Sequence, residues 1–235
     1  MTAPENRKLD WLPRKDEKSR DFPVTAMPGA YALEDIPRRR AHRGPHHRID
    51  QGAEGACVGF AMAISLMSAP VAAKLAEPEP FAMHVYKEAQ KIDYWEGTDY
   101  EGTSILAGAQ ILQRLGYIDS YWWAFGIDQV LRALATDPVI IGINWASSMY
   151  DTDEHHIVNL SGHWVGGHAI TLTGYGGRKD PRTGKAGLFV RWRNSWGPTY
   201  GNRGDGWIRV EDLEWLLSLD GEACVLKGQR WVPKP

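Results

Sequence analysis

The chain has 235 residues, 43% of them hydrophobic and 24% charged, which suits a globular core and excludes the disordered and fibrous classes. The formal net charge of −2 gives no general reason to expect a nucleic acid or a membrane as partner. With only two cysteines, Cys57 and Cys224, and no signal-like apolar stretch from Met1 to Trp11, we expect free thiols and a cytoplasmic protein.

Residues 1–48 are rich in charge, proline and turn formers and show no sustained helical or strand period, which predicts an extended arm packed over the body. The arm ends in a short basic patch. Contact with an anionic partner is one interpretation of the patch and a solvated surface is the other, and one short basic run favours the second. The patch consists of Arg38, Arg39, Arg40, His42, Arg43, His46, His47 and Arg48.

Helical patterns follow from Cys57 to about Thr136, and strand patterns follow from Val139 onward. The uncharged stretch from Ala56 to Ala73 is close to the ~20 residues of a membrane span, but Pro70 and the loop before it favour a buried helix of a soluble lobe. The remaining helices are predicted around Phe81–Ile92, Ser104–Leu115, Ile127–Ala135 and Glu211–Leu217, and the strands at Val139–Trp145, Ala169–Tyr175, Leu188–Trp192, Trp207–Val210 and Ala223–Lys227.

Glycine pairs, Gly166-Gly167 and Gly176-Gly177 among them, are expected to separate these short strands. Short strands with turns between them favour an antiparallel, barrel-like sheet. We therefore predict an α+β fold of residues 49–235, with a helical lobe at 49–136, a β-rich lobe at 137–235 and a binding cleft between the lobes.

A glycine-bearing loop leads directly into the first helix and places Cys57 at its start. There the free backbone amides and the helix dipole favour an anion, so we expect a lowered thiol pKa. Gln51, six residues earlier, can donate its side-chain amide to a developing oxyanion beside the Cys57 amide. A cysteine that opens a helix is, taken alone, more often a small buried hydrophobe.

Two further residues complete a nucleophilic set. His168 enters a strand behind a glycine pair and can accept the thiol proton, giving imidazolium beside thiolate. Asn194 supplies a carbonyl that can hold the other ring nitrogen, and the indole of Trp196 can cover that hydrogen bond from water. The set predicts acyl transfer through a thioester.

In this order and with these neighbours, glutamine, cysteine, histidine and asparagine resemble the papain-like cysteine peptidases over about residues 48–227. The resemblance implies a two-lobed α+β fold with a helical left lobe and an antiparallel barrel-like right lobe, endopeptidase activity on peptide or protein substrates, and no metal or organic cofactor. It also implies substrate contacts from six residues, namely Gly102, Thr103, Ile105, Gly142, Ala169 and Trp196. Ile105 and Ala169 as ordinary core, and Gly142 as a strand kink, are the competing interpretation.

The sequence departs from the family pattern in three ways. Glu54 stands where secreted members carry a cysteine, which fits a disulfide-free prokaryotic or viral branch, and Val58 replaces an aromatic residue after the nucleophile. Some 48 residues is also short for the usual inhibitory propeptide, which leaves open how activity is restrained.

Two alternatives stay open. A cell-wall peptide hydrolase or amidase would use the same chemistry on another acceptor, and a degenerate papain-like domain would only bind peptides. The pair His155-His156, with acidic neighbours, could suggest a metal site, but adjacent histidines of a strand point to opposite faces, which favours a solvated loop.

Overall fold

The structure is a computed structural model that describes residues 7–13 and 21–228. The parts of the predicted arm at 1–6 and 14–20, and the end of the predicted peptidase domain at 229–235, lie outside the described residues. Five α-helices, α1 to α5, run in chain order over Cys57–Met67, Pro78–Gln90, Ile105–Arg114, Ile127–Leu134 and Val210–Ser218. Seven strands, β1 to β7, run over Arg39–Ala41, Ser120–Trp123, Val139–Ala146, Trp164–Lys179, Ala186–Arg193, Asp205–Arg209 and Glu222–Lys227.

The strands form one antiparallel sheet in the order β2-β7-β3-β4-β5-β6, and β1 adds to β4. The longest strand, β4, pairs with β3 on one side and β5 on the other. The predicted mixed fold with an antiparallel sheet is therefore confirmed. Strand β4 positions the site, because it carries both His168 and Ala169.

Helix α1 is buried at every position, as its unbroken run of apolar and small residues predicts. It packs against α2, α3 and β4. Helix α3 begins after Ser104, whose hydroxyl accepts a hydrogen bond of 3.2 Å from the Ala107 amide and so caps the first turn. Among the described residues, no helix is long and apolar enough to cross a membrane.

Two large apolar cores lie on opposite faces of the sheet, because successive side chains of β3, β4 and β7 belong to different cores. One lies between the sheet, α4 and α5, and includes Ile141, Trp145 and Trp192. The other lies under α1 and α3 and includes Cys57 and Ile105. Helix α4 packs on the sheet side through Val130, Leu131 and Leu134, although it follows the other helices in sequence.

The expectation that glycine pairs separate the strands is wrong at two places. Gly166-Gly167 and Gly176-Gly177 all lie within β4, which begins five residues before the predicted start at Ala169 and ends four residues after Tyr175. The physical reason is close approach of other chain segments. A Cβ on Gly167 would lie 2.3 Å from the carbonyl oxygen of Trp11.

Candidate active site

Cys57 is the first residue of α1, as predicted, and its side chain is fully buried. It is a free thiol, as is Cys224, which is also buried. Burial raises the pKa of its thiol, and the backbone amides of Ala169 and Asp10 near the sulfur act to lower it. The nucleophile candidate thus lies where α1, β4 and the N-terminal arm meet.

His168 lies on β4, completely buried, and precedes Ala169, whose backbone amide is close to the Cys57 sulfur. Its Nε2 is 2.8 Å from Oδ1 of Asn194. Because an amide oxygen can only accept, Nε2 is assigned as the donor, and Nδ1 of the neutral ring remains an acceptor. Nδ1 is buried and has no hydrogen-bond partner among the described residues. The ring is therefore oriented to accept a proton through Nδ1.

Two indoles hold the imidazole in place. The ring centroid of Trp145 is 4.7 Å from that of His168 in an edge-to-face arrangement, and that of Trp196 is 4.8 Å away at an interplanar angle of 30°. Both tryptophans are buried. The pair fixes the ring plane and keeps water from the hydrogen bond between His168 and Asn194.

The side chain of Gln51 is buried. Its Nε2 donates a 3.3 Å hydrogen bond to the carbonyl oxygen of Lys8 in the arm. The same nitrogen donates a 2.8 Å hydrogen bond to the carbonyl of Glu54. Its Oε1 accepts a 2.6 Å hydrogen bond from the hydroxyl of Ser195. The side-chain nitrogen of Gln51 thus donates to two carbonyl oxygens, one of which belongs to the arm.

The arm fills the cleft. The amide of Trp11 donates a 2.9 Å hydrogen bond to the carbonyl of Gly167, and the amide of Thr103 donates one of 3.3 Å to the carbonyl of Asp10. Residues 10 and 11 form parallel bridges to Gly167 and Thr103, one on each wall of the cleft. Arg7 forms an ion pair with Asp50.

The six residues that the resemblance assigns to substrate surround this arm. A Cβ on Gly102 would lie 2.0 Å from the carbonyl oxygen of Asp10, and one on Gly142 would lie 2.2 Å from the indole of Trp11. Ile105 and Ala169 share an apolar cluster with Trp11. Thr103 pairs with the arm, and Trp196 lies 6.0 Å below the guanidinium of Arg7.

The predicted lowered pKa of Cys57 does not hold in this conformation. Burial raises the pKa of the Cys57 thiol to about 11, and the backbone amides of Ala169 and Asp10 act against that rise. Burial also lowers the pKa of His168 to about 4, although the Asn194 hydrogen bond favours the charged ring. Both shifts favour the neutral forms. The physical reason is that both side chains are buried away from the water that would stabilise an ion pair.

Four residues of this region were missed by the sequence interpretation. Asp10 and Trp11 belong to the arm, which shows no periodic pattern, and Ser195 carries no signal in the sequence besides its position after Asn194. Asp93 lies in an irregular segment between α2 and α3. Among the described residues, no cluster of three or more His, Cys, Asp or Glu side chains could hold a metal ion, and the pair His155-His156 belongs to none.

Comparisons with known proteins identify the fold. No family model matches the chain, and no curated protein matches it. Among solved structures it is similar to xylellain, a cysteine protease from Xylella fastidiosa, with a TM-score of 0.71 and 19% identity over 98% of this chain and 99% of that one.

The fold is that of the papain-like cysteine proteases. The chain is also similar to the Amb a 11 cysteine protease of ragweed pollen in its proform, with a TM-score of 0.62 and 16% identity over 99% of this chain and 71% of that one. Bromelain from Ananas comosus in complex with the E64 inhibitor gives a TM-score of 0.56 and 14% identity over 82% of this chain and 99% of that one. The resemblance predicted from the sequence is thus confirmed at the level of the fold.

Proposed function

We propose that this chain is a cysteine endopeptidase that hydrolyses peptide bonds through a thioester on Cys57. The observation that carries the proposal is the state of His168, whose Nε2 is bound to Asn194 and whose Nδ1 is buried without a partner among the described residues. A histidine held in this way can act as a general base that accepts a proton at Nδ1. The donor that we assign is the Cys57 thiol at the start of α1, because the backbone amide of Ala169, the residue after His168, is close to its sulfur.

In the proposed reaction, Nδ1 of His168 accepts the Cys57 proton and the thiolate attacks the substrate carbonyl carbon. The tetrahedral oxyanion receives hydrogen bonds from Nε2 of Gln51 and the amide of Cys57. The imidazolium then donates its proton to the leaving amine, which leaves a thioester. Neutral His168 next removes a proton from water, and hydrolysis of the thioester returns the free thiol. Asn194 keeps the ring in one tautomer throughout.

We further infer that the described conformation is closed to substrate. The backbone amide of Asp10, a residue of the arm, lies against the Cys57 sulfur, so the arm occupies the place of a substrate. The carbonyl of Lys8 occupies the Gln51 donor, and Trp11 fills the space over Gly142. The arm must leave before a substrate can bind. That the similar Amb a 11 structure is a proform fits this proposal.

The binding assignment belongs to the same proposal. The pocket occupied by Trp11 is formed by Gly142, Ala169 and Ile105, and Thr103 offers main-chain hydrogen bonds beside it. Because the pocket holds an indole with 2% of its surface exposed, it is large and apolar. We therefore expect peptides with a bulky apolar side chain near the cleavage site to be preferred.

The test is cleavage of a mixed peptide library by the full chain and by its Trp11→Ala variant, which loosens the arm. Cys57→Ala in either background should abolish cleavage. Cys224→Ala is the matched control because it removes the other buried thiol, and cleavage should persist. Cleavage that survives in Cys57→Ala would overturn the proposal.

Two further outcomes separate the rival functions. Cleavage confined to cross-linked cell-wall peptides would favour the cell-wall hydrolase. If iodoacetamide labels Cys57 in the Trp11→Ala variant but no peptide is cut, the fold serves only to bind peptides.

A further inference from the structure

The main chain of Thr103 holds the arm on both sides. Its amide donates to the carbonyl of Asp10 at 3.3 Å, and its carbonyl accepts from the amide of Leu12 at 3.2 Å. Extended peptides generally bind by such main-chain bonds, with pockets for their side chains. Under the proposed function, a substrate peptide would use the same edge after the arm has left.

This edge belongs to no strand or helix. It lies in the irregular segment between the end of α2 at Gln90 and the start of α3 at Ile105. Gly102 has a φ of +93°, which suits glycine, and its amide donates a 3.1 Å hydrogen bond to the hydroxyl of Tyr86. Side chains rather than a backbone ladder must therefore hold Thr103 in position.

Asp93 is the centre of that support. Its Oδ2 accepts a 2.6 Å hydrogen bond from the hydroxyl of Thr103. Its Oδ1 accepts one of 2.5 Å from the hydroxyl of Tyr100 and one of 3.2 Å from the amide of Trp95. The carbonyl of Tyr100 in turn accepts a 2.8 Å hydrogen bond from Gln90 at the end of α2.

One carboxylate thus ties three points of the segment together. Hydrogen bonds to an ionised acceptor are roughly twice as strong as neutral ones. The hydrogen bond between Asp93 and the Thr103 hydroxyl is also the one nearest to the edge that the arm uses. Removal of the Asp93 carboxylate should therefore loosen the peptide-binding main chain rather than the catalytic groups.

We propose that Asp93 is a positioning residue that holds the Thr103 main chain as the docking edge for peptides. The claim that substrate peptides bind this edge rests on the proposed function, whereas the claim that the arm binds it does not. Because arm and substrate compete for one edge, loosening it has two effects of opposite sign. Cys57 becomes easier to reach, whereas peptides bind less tightly.

The test uses Asp93→Asn and Thr103→Val. The first variant keeps the shape and removes the charge, and the second removes only the hydroxyl. Asp99→Asn is the matched control, because Asp99 is an exposed acid of the same segment. Alkylation of Cys57 by iodoacetamide in the full chain reports on the arm, and KM and kcat for a peptide in the Trp11→Ala background report on the substrate.

We expect both variants to raise the alkylation rate and the peptide KM about tenfold, equivalent to about 1.4 kcal/mol at each step. The value of kcat should stay unchanged, because the weakened contact binds the substrate and the transition state equally. An ester of a single amino acid, which is too short to pair with Thr103, should keep its KM. The control should match the parent chain in every measurement.

Alkylation at the parent rate in both variants would overturn the inference. So would an equal loss of kcat for the peptide and the short ester, since that pattern marks general damage to the fold. If no form of the chain cleaves peptides, the proposed function fails, and the alkylation rates still decide whether Asp93 holds the edge to which the arm binds. Should Asp93→Asn fail to fold, Thr103→Val carries the same test.

Discussion

The hydroxyl of Ser195 donates a 2.6 Å hydrogen bond to Oε1 of Gln51, and both side chains are buried. The preceding residue, Asn194, holds His168 and also accepts a 2.8 Å hydrogen bond from the Ser195 amide. Two consecutive residues therefore orient the proposed base and the proposed oxyanion donor. A shift of this short segment would disturb both groups together.

We expect Ser195→Ala to lower kcat about fivefold with little change in KM, because a net hydrogen bond contributes about 1 kcal/mol. Gln51→Ala should cost more, on the order of 10²- to 10³-fold in kcat, as the loss of an oxyanion donor does. If Ser195 acts through Gln51, the double variant should be no slower than Gln51→Ala alone. Losses that multiply would show that Ser195 acts by another route.

Trp11→Ala should open the cleft. The indole is buried, and truncation of a buried tryptophan costs about 3–5 kcal/mol, so most of the docking energy of the arm should be lost. The rate of Cys57 alkylation should rise at least about tenfold. Trp164→Ala is the control because that side chain is half-exposed and stacks on Trp215 instead. Equal alkylation rates in the two variants would contradict an occluding arm.

Asp10 makes arm docking depend on pH. Its Oδ2 is buried without a hydrogen-bond partner among the described residues. Burial raises the pKa of Asp10 above its ordinary value of 3.8, the charge of Glu101 adds to the rise, and Lys8 opposes it. Docking therefore favours protonated Asp10. The resulting stabilisation is full below the ordinary pKa and is lost as pH rises through the raised value.

Asp10→Asn mimics the protonated acid and should keep the arm docked at neutral pH. The ratio of the alkylation rate of the parent chain to that of the variant should be near one in acid and rise towards neutral pH. Effects common to both proteins cancel in this ratio. One such effect is the titration of Asp50. Burial acts to raise the pKa of Asp50, but the ion pair with Arg7 outweighs burial, so the pKa is lowered. A ratio that does not change with pH would exclude Asp10 as the titrating group.

Gly142→Val tests the pocket. A Cβ at this position would lie 2.2 Å from the Trp11 indole, so the arm should be displaced and alkylation of Cys57 should become faster. The narrowed pocket should also shift the preference in a peptide library from bulky to small side chains, by about 1–3 kcal/mol in kcat/KM. Gly177→Val, farther along β4, offers a comparison because a Cβ there has room. An unchanged preference would remove Gly142 from the substrate pocket.

The helices and the proposed chemical groups could be read from sequence because their signals are local. Helix α3 was predicted at Ser104–Leu115 and lies at Ile105–Arg114, with Ser104 as its cap. Strand β2, Ser120–Trp123, was missed because it is short and gains its pairing from β7, about a hundred residues later. Strand β4 is longer than its prediction because glycine pairs usually indicate turns, whereas both pairs lie within this strand.

The state of the site could not be predicted in the same way. A helix start favours a thiolate, and that tendency alone gave a lowered pKa for Cys57. The opposite shift arises from burial of Cys57 in the folded chain. The arm that covers this region is held by Thr103 and Gly167, which lie far along the chain. No spacing within the arm reports such contacts, since they depend on tertiary folding.

Under the proposed function, the inhibitory arm and the cleft belong to one molecule, so activity would not depend on protein concentration. A separate inhibitor dissociates when both partners become scarce, whereas a tethered segment keeps a local concentration that depends only on the connecting chain. Dilution leaves such a molecule unchanged. Cleavage between the Trp11 segment and the rest of the chain would leave an ordinary bimolecular complex, which dissociates on dilution.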